Sequence, residues 1–178
     1  MTSILKVSSI QDPTNSNTAL SIDSSGIVTT PARPAFLVRR TGDITLTEGN
    51  DHQIIPFNTV KFDIGSNYST TDFNYTCPVD GIYFFSLSFR ADSVASGGYI
   101  RAIIYKGSDA STTIAPFQAY GDSLATITGN QATNYETHNI SGVLQCNSGD
   151  IVTPMGGHNS DTSFTFKQES TFSGYLVG

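Results

Sequence analysis

The chain has no tryptophan, two cysteines and three histidines, and Lys, Arg, Asp and Glu together make up 13% of its 178 residues. Each scarcity excludes something. A charged share well below the roughly 25% of ordinary domains argues against a disordered acidic tail. It also argues against a surface of long helices laced with Glu/Lys pairs. The net charge is −6 and the only basic pair is Arg39-Arg40, so there is no cationic footprint for phosphates and nucleic acid is not an expected partner. No run reaches the roughly 18 apolar residues of a membrane helix, so no membrane insertion is expected. Two cysteines make no disulfide scaffold, and Cys77 and Cys146 have no metal spacing; both are expected to be buried free thiols. The opening Met1-Thr2-Ser3-Ile4-Leu5-Lys6 lacks the apolar core and cleavage site of an export signal, which implies a protein made and used from the cytosol.

Marks of catalysis are scarce too. None of His52, His138 and His158 sits in a His-Glu-x-x-His spacing, and there is neither a Gly-x-Ser-x-Gly elbow nor a phosphate loop. The expectation is a protein that is not an enzyme and needs no cofactor.

What the chain does have is phenylalanine, tyrosine, glycine and many small hydroxyl and amide side chains, the composition of a Ser/Thr-faced β protein. It reads as an arm, a hinge and a body, with the boundary between residues 33 and 34. In the arm, 4–10 is a short β-like run, 11–17 is turn chemistry, and 19–23 alternates apolar and polar before Ser24-Ser25-Gly26 turns into Ile27-Val28. These pieces are too short to close a core, so the arm needs the body, a sister chain or another protein as partner. Pro31 and Pro34 suit a stiff extended linker.

From Pro34 onward the pattern is β throughout, with candidate strands at 36–38, 57–62, 73–77, 81–89, 99–106, 138–145, 150–154, 163–167 and 171–177. In the clearest of them Tyr83, Phe85, Leu87 and Phe89 share one face, which reads as core. Ile82, Phe84, Ser86 and Ser88 share the other. Ile82 and Phe84 are either a subunit contact or are covered by another strand or by the arm. Short strands punctuated by Gly, Pro and Asn turns indicate an all-β sandwich or barrel, and jelly rolls manage their edges with two packed sheets.

Specific motifs narrow this. Phe57, Asp63, Tyr68 and the run Tyr75-Thr76-Cys77-Pro78-Val79-Asp80-Gly81-Ile82-Tyr83-Phe84-Phe85 fall in a fixed order. Ser141-Gly142-Val143-Leu144-Gln145 with Gly149-Asp150-Ile151-Val152 follows, and then Thr171-Phe172-Ser173-Gly174-Tyr175-Leu176. Gly81 reads as the residue that lets the chain turn sharply into its long strand, and Gly174 as a site where a ring or backbone comes close. Together these motifs resemble the C1q-like globular domain, a relative of the tumour necrosis factor jelly rolls, over about four-fifths of the chain. Two positions depart from the pattern: Tyr75 stands where Phe is usual, and Leu87 where Phe or Tyr is usual. Both swaps keep a large apolar side chain.

The resemblance implies an antiparallel ten-stranded jelly roll over 34–178 that forms a homotrimer and displays ligand-binding loops. Candidate loops are 92–98, 109–113, 120–135 and 156–161; within them Tyr120, Tyr135, His158, Asn159 and Asp161 are the ligand-binding candidates, with His158 read as a surface loop residue. The same loops also read as plain solvated connections. Some relatives hold calcium; Asp92, Asp109, Asp122 and Asp161 read as loop oxygens, without a liganding pattern. No Gly-X-Y collagen run is present. Instead the arm and its lead into Pro31-Ala32-Arg33-Pro34-Ala35-Phe36 resemble the opening of structural proteins of marine tailed bacteriophages, cyanophages in particular. That implies a virion protein. Either it is a fibre or appendage tip that binds a host surface glycan or protein, or it is a structural spike, collar or decoration whose arm docks on another virion protein. A soluble C1q-like lectin is the third reading.

Overall fold

The computed structural model describes residues 6–46, 53–92, 99–107, 124–129, 136–158 and 164–178. The chain divides into two compact units, Met1–Pro34 and Ala35–Gly178. Among the described residues there is no helix.

The first unit is a three-stranded antiparallel sheet in the order β1 (Ser9–Gln11), β2 (Thr18–Ile22), β3 (Val28–Thr29). Its turns are held by carboxylates. Asp12 accepts from the amides of Thr14 and Asn15, and Asp23 from those of Ser25 and Ile27, all at 2.8–3.0 Å. Asx turns of this kind stand in for backbone turn hydrogen bonds.

The second unit is a sandwich of two antiparallel sheets. Its strands are β4 (Ala35–Arg39), β5 (Ile44–Leu46), β6 (Gln53–Ile54), β7 (Thr59–Ile64), β8 (Tyr68–Ser69), β9 (Asn74–Thr76), β10 (Gly81–Asp92), β11 (Tyr99–Gly107), β12 (Leu124–Gly129), β13 (Glu136–Cys146), β14 (Ile151–His158), β15 (Phe164–Phe166) and β16 (Thr171–Leu176). In the first sheet β10 pairs with β13 on one side. Along its other side run β16, then β4 and β7, with β15 and β5 continuing past the end of β16. The second sheet runs β12-β11-β14-β9-β8, with β6 beside the far part of β14. The described strands number thirteen rather than ten because two- and three-residue pieces such as β6, β8 and β15 stand as separate strands.

The core lies between the sheets and is aromatic. Tyr83, Phe85, Leu87 and Phe89 are all fully buried, as the period of two requires when one face of a strand packs inward. Phe36 stacks on Tyr75 with centroids 4.3 Å apart and meets Phe172 edge-on at 5.1 Å. Phe89 packs on Phe166 at 5.3 Å. Offset and edge-on pairs of this kind add about 0.5–1.5 kcal/mol each beyond the area they bury.

Two sequence readings are refined here. Gly81 is not at a positive φ; what excludes a side chain is crowding, since a Cβ there would lie 2.7 Å from Leu176 Cδ1 and 3.2 Å from the Gly178 carbonyl oxygen. Cys77 and Cys146 are both buried free thiols, close enough to interact, and Cys146 Sγ lies 3.9 Å from the Leu144 carbonyl oxygen to which it donates. Cys77 directly follows β9 and Cys146 ends β13, so the pair joins one sheet to the other.

Candidate functional site

The outward face of the first sheet carries an apolar row. Strand register places Val143, Phe84, Tyr175, Ala35 and Ile64 side by side across β13, β10, β16, β4 and β7. The Phe84 and Tyr175 rings pack 5.4 Å apart. Beside the row lie Ile82 and the Leu37–Phe62 cross-strand pair. Ile82, Tyr175, Phe62 and Val143 are 47–59% exposed. Single exposed apolar residues are ordinary on a protein surface, but a contiguous row across five strands is not. Farther along β10 the outward positions turn polar, with Ser86 opposite both Ser141 and Ser173.

At the end of the sandwich away from Ala35, charged side chains tie the strands together. Arg90 makes a two-point contact with Asp92, Nε to Oδ1 at 3.1 Å and Nη2 to Oδ2 at 3.2 Å, and reaches Glu169 at 3.3 Å. Lys167 donates to Asp43 at 2.5 Å and lies 3.5 Å from Asp92. That hydrogen bond holds the Asp43 carboxyl below its usual range and raises Lys167. Nearby on β13, His138 stacks on Phe89 at 5.1 Å while its Nε2 lies 3.1 Å from Glu136. A shallow cavity of about 420 Å³ lined by Arg39, Gln168, Glu169 and Thr171 opens at the same end.

This architecture has known counterparts. The C1q domain pattern matches residues 35–177. The chain belongs to the C1q domain family. Among solved structures it is similar to the globular domain of zebrafish complement 1qA, at 19% identity and a TM-score of 0.58 over 82% of this chain and 98% of that one. It is similar to murine APRIL at 10% identity and a TM-score of 0.56, over 82% of this chain and 99% of that one. It is also similar to the Eiger tumour necrosis factor of S. frugiperda at 11% identity and a TM-score of 0.58, over 82% and 94%. No curated protein matches the chain. C1q and tumour necrosis factor-like domains are in general binding domains without enzymatic activity.

Within this C1q domain the sequence-predicted site residues divide into three groups. Ile82 and Phe84 share the exposed apolar face with β7 and β16, whose contribution the sequence reading missed although Phe62 and Ile64 alternate with charged residues. His158 is corrected: it is the last residue of β14, opposite Ile100, and is fully buried rather than in a surface loop. The Gly156-Gly157 pair suggested a loop, yet both glycines are ladder residues opposite Ala102 and Arg101. Asp92 is corrected too: it ends β10 and is engaged by Arg90 and Lys167, so it is not a loop oxygen waiting for an ion. Tyr120, Tyr135, Asn159 and Asp161 lie outside the described residues, as do Asp109 and Asp122. Among the described residues no group of three His, Cys, Asp or Glu side chains is placed to hold a metal ion.

Proposed function

We propose that the chain is a non-enzymatic binding protein that works as a homotrimer through its C1q domain. The observation that carries this is the apolar row Val143–Phe84–Tyr175–Ile64 with Ile82 and Phe62 beside it, exposed in the single chain. Burying such a face against a second copy returns about 25 cal/mol per Å² of apolar surface removed from water. The polar end of the same face, at Ser86, Ser141 and Ser173, marks where the contact fades into solvent. Three copies on one axis multiply a weak ligand contact by avidity. The ligand end is then the one away from Ala35, where β10, β12 and β14 finish and β11 and β13 begin.

The finer reading is a virion protein at the tip of a phage fibre or appendage, binding a host surface glycan or protein. It is supported by the likeness of the arm to the opening of cyanophage structural proteins. In that setting the chain assembles in the host cytoplasm, and its arm side joins another virion component. Light scattering on the purified chain tests the first step: the expected mass is three times 19.0 kDa. A stable monomer overturns the trimer. Free protein added to phage and host tests the second step. Blocked adsorption is expected of a receptor binder; unchanged adsorption with fewer intact particles when the protein is removed leaves the purely structural reading.

A further inference from the structure

The arm is a folded sheet without a core. No residue from 6 to 34 is buried. Yet its turns are specified by Asp12 and Asp23, and its register is fixed, with Ile10 opposite Leu20 and Ile22 opposite Val28. Alternation along each strand puts Ile10, Leu20, Ile22 and Val28 on one face. The other face carries Ser9, Ala19, Ser21 and Thr29. Ile10 is 51% and Val28 56% exposed. Small sheets of this size are marginal in water unless an apolar face is covered.

What covers it is constrained by charge and by tethering. The charged residues between 6 and 34 are Lys6, Asp12, Asp23 and Arg33, and each lies in a turn or at an end of the unit rather than on the aliphatic face. Copies of this face therefore meet without opposing charges. The arm is also joined at Pro34 directly to the first strand of the C1q domain. If three domains associate, three arms are tethered together at an effective concentration in the millimolar range for a short linker. An unrelated partner has no such advantage.

We propose that the aliphatic face of the arm is an interface between copies of this chain, with the arms of the three subunits packed face to face. The inference rests on the trimeric reading of the C1q domain and adds a second contact to it.

The test uses the full-length chain with one cysteine placed on either face of the arm, Ile10→Cys or Ser9→Cys. The native thiols are both buried. Each variant is oxidised at low micromolar concentration with a disulfide donor such as oxidised glutathione. Two thiols on neighbouring chains lose two protons and two electrons to form one disulfide, and glutathione is reduced. Light scattering is run on the same samples before oxidation. The expected result is a trimer mass for both, a covalent dimer on a denaturing gel for Ile10→Cys, and none for Ser9→Cys. A trimer mass with no dimer from Ile10→Cys, or with equal dimer from both variants, overturns the arm contact and leaves the trimeric domain standing. A monomer mass for both overturns the domain trimer and the arm contact together.

Discussion

Gly174 offers the sharpest test of the packing. It lies mid-strand in β16, and a Cβ added there would sit 2.5 Å from Phe85 Cδ1 and 2.9 Å from Phe36 Cε1. Real Cβ contacts of that length do not occur, so a ring must move. Neither ring has room. Phe85 is flanked by Tyr83 at 5.9 Å and by Tyr75 and Phe172 at 6.2 Å, and Phe36 is stacked on Tyr75 at 4.3 Å. Overpacking of this kind costs about 1–3 kcal/mol, and two pinned rings place Gly174→Ala in the upper half of that range. For a unit of this size about 1 kcal/mol moves Tm by about 2–4 °C, so a fall of about 4–12 °C is expected. Differential scanning calorimetry measures it. Ser173→Ala, one residue away and facing outward, is expected to stay within about 0.5 kcal/mol of the parent. The double variant Gly174→Ala/Phe85→Leu relieves the clash, so its loss is expected to be smaller than the sum of the two single losses. If Gly174→Ala melts with the parent, the wedge of Phe36 and Phe85 against β16 is wrong.

Two further outcomes follow from buried ionisable groups. Burial raises the hydroxyl pKa of Tyr68 and Tyr75 above the ordinary value and pushes Tyr83 up to about 12. A raised folded pKa means stability that is intact below pH 10 and lost as pH climbs toward the folded values, because the unfolded tyrosines ionise first. Each contributes a slope of up to about 1.4 kcal/mol per pH unit, about 4 for the three together. Thermal melts from pH 9 to 12 should fall steeply above pH 10, and less steeply for Tyr75→Phe; a flat profile to pH 11 contradicts the burial of these hydroxyls. The Cys77 thiol is pushed up by its hydrogen bond with Cys146 and by burial. Since the thiolate is the reactive form, a chromogenic disulfide reagent should find no fast thiol in the native chain and two per chain in denaturant. A rapid native reaction would mean that the pair is open to solvent.

How much of this was legible beforehand depends on what each side chain had to satisfy. The inward set Tyr83, Phe85, Leu87 and Phe89 was readable because a strand with one buried face must alternate, and 81–89 does so without interruption. Phe57 was read as opening both a strand and the family motif; it is fully buried, but the strand itself begins at Thr59. The glycines misled where a local reading was asked to answer a tertiary question. Gly156 and Gly157 look like turn residues, but Gly156 lies in the ladder with Ile55 Cδ1 only 3.1 Å from where its Cβ would be, and that closeness depends on a residue far earlier in the chain. His158 followed those glycines into the wrong class. Asp92 was misplaced for a related reason: besides Arg90 on its own strand, it is engaged by Lys167, which the β10–β15 pairing brings near and no local pattern announces.

The apolar outer face lay between these cases. Ile82 and Phe84 were visible as a pair on the outward side of one strand, which leaves a subunit contact and an intramolecular cover equally open. Topology bears on one form of that cover, another described strand of the C1q domain. Their neighbours in the sheet are Val143 on one side and Tyr175 on the other, and β4 and β7 extend the row to Ile64. None of these strands adds a layer over Ile82; they widen the face. An intramolecular cover must reduce exposure, yet within the C1q domain Ile82, Tyr175 and Val143 keep about half of theirs. The arm repeats the pattern on a smaller scale, with four aliphatic side chains on one face and nothing buried. Two exposed apolar faces in one covalent chain favour a common solution, because the association of one raises the local concentration of the other. On the trimeric reading proposed above, a charge placed in the arm at Ile22 weakens association less than one placed at Phe84, since the wider face has more apolar area to bury.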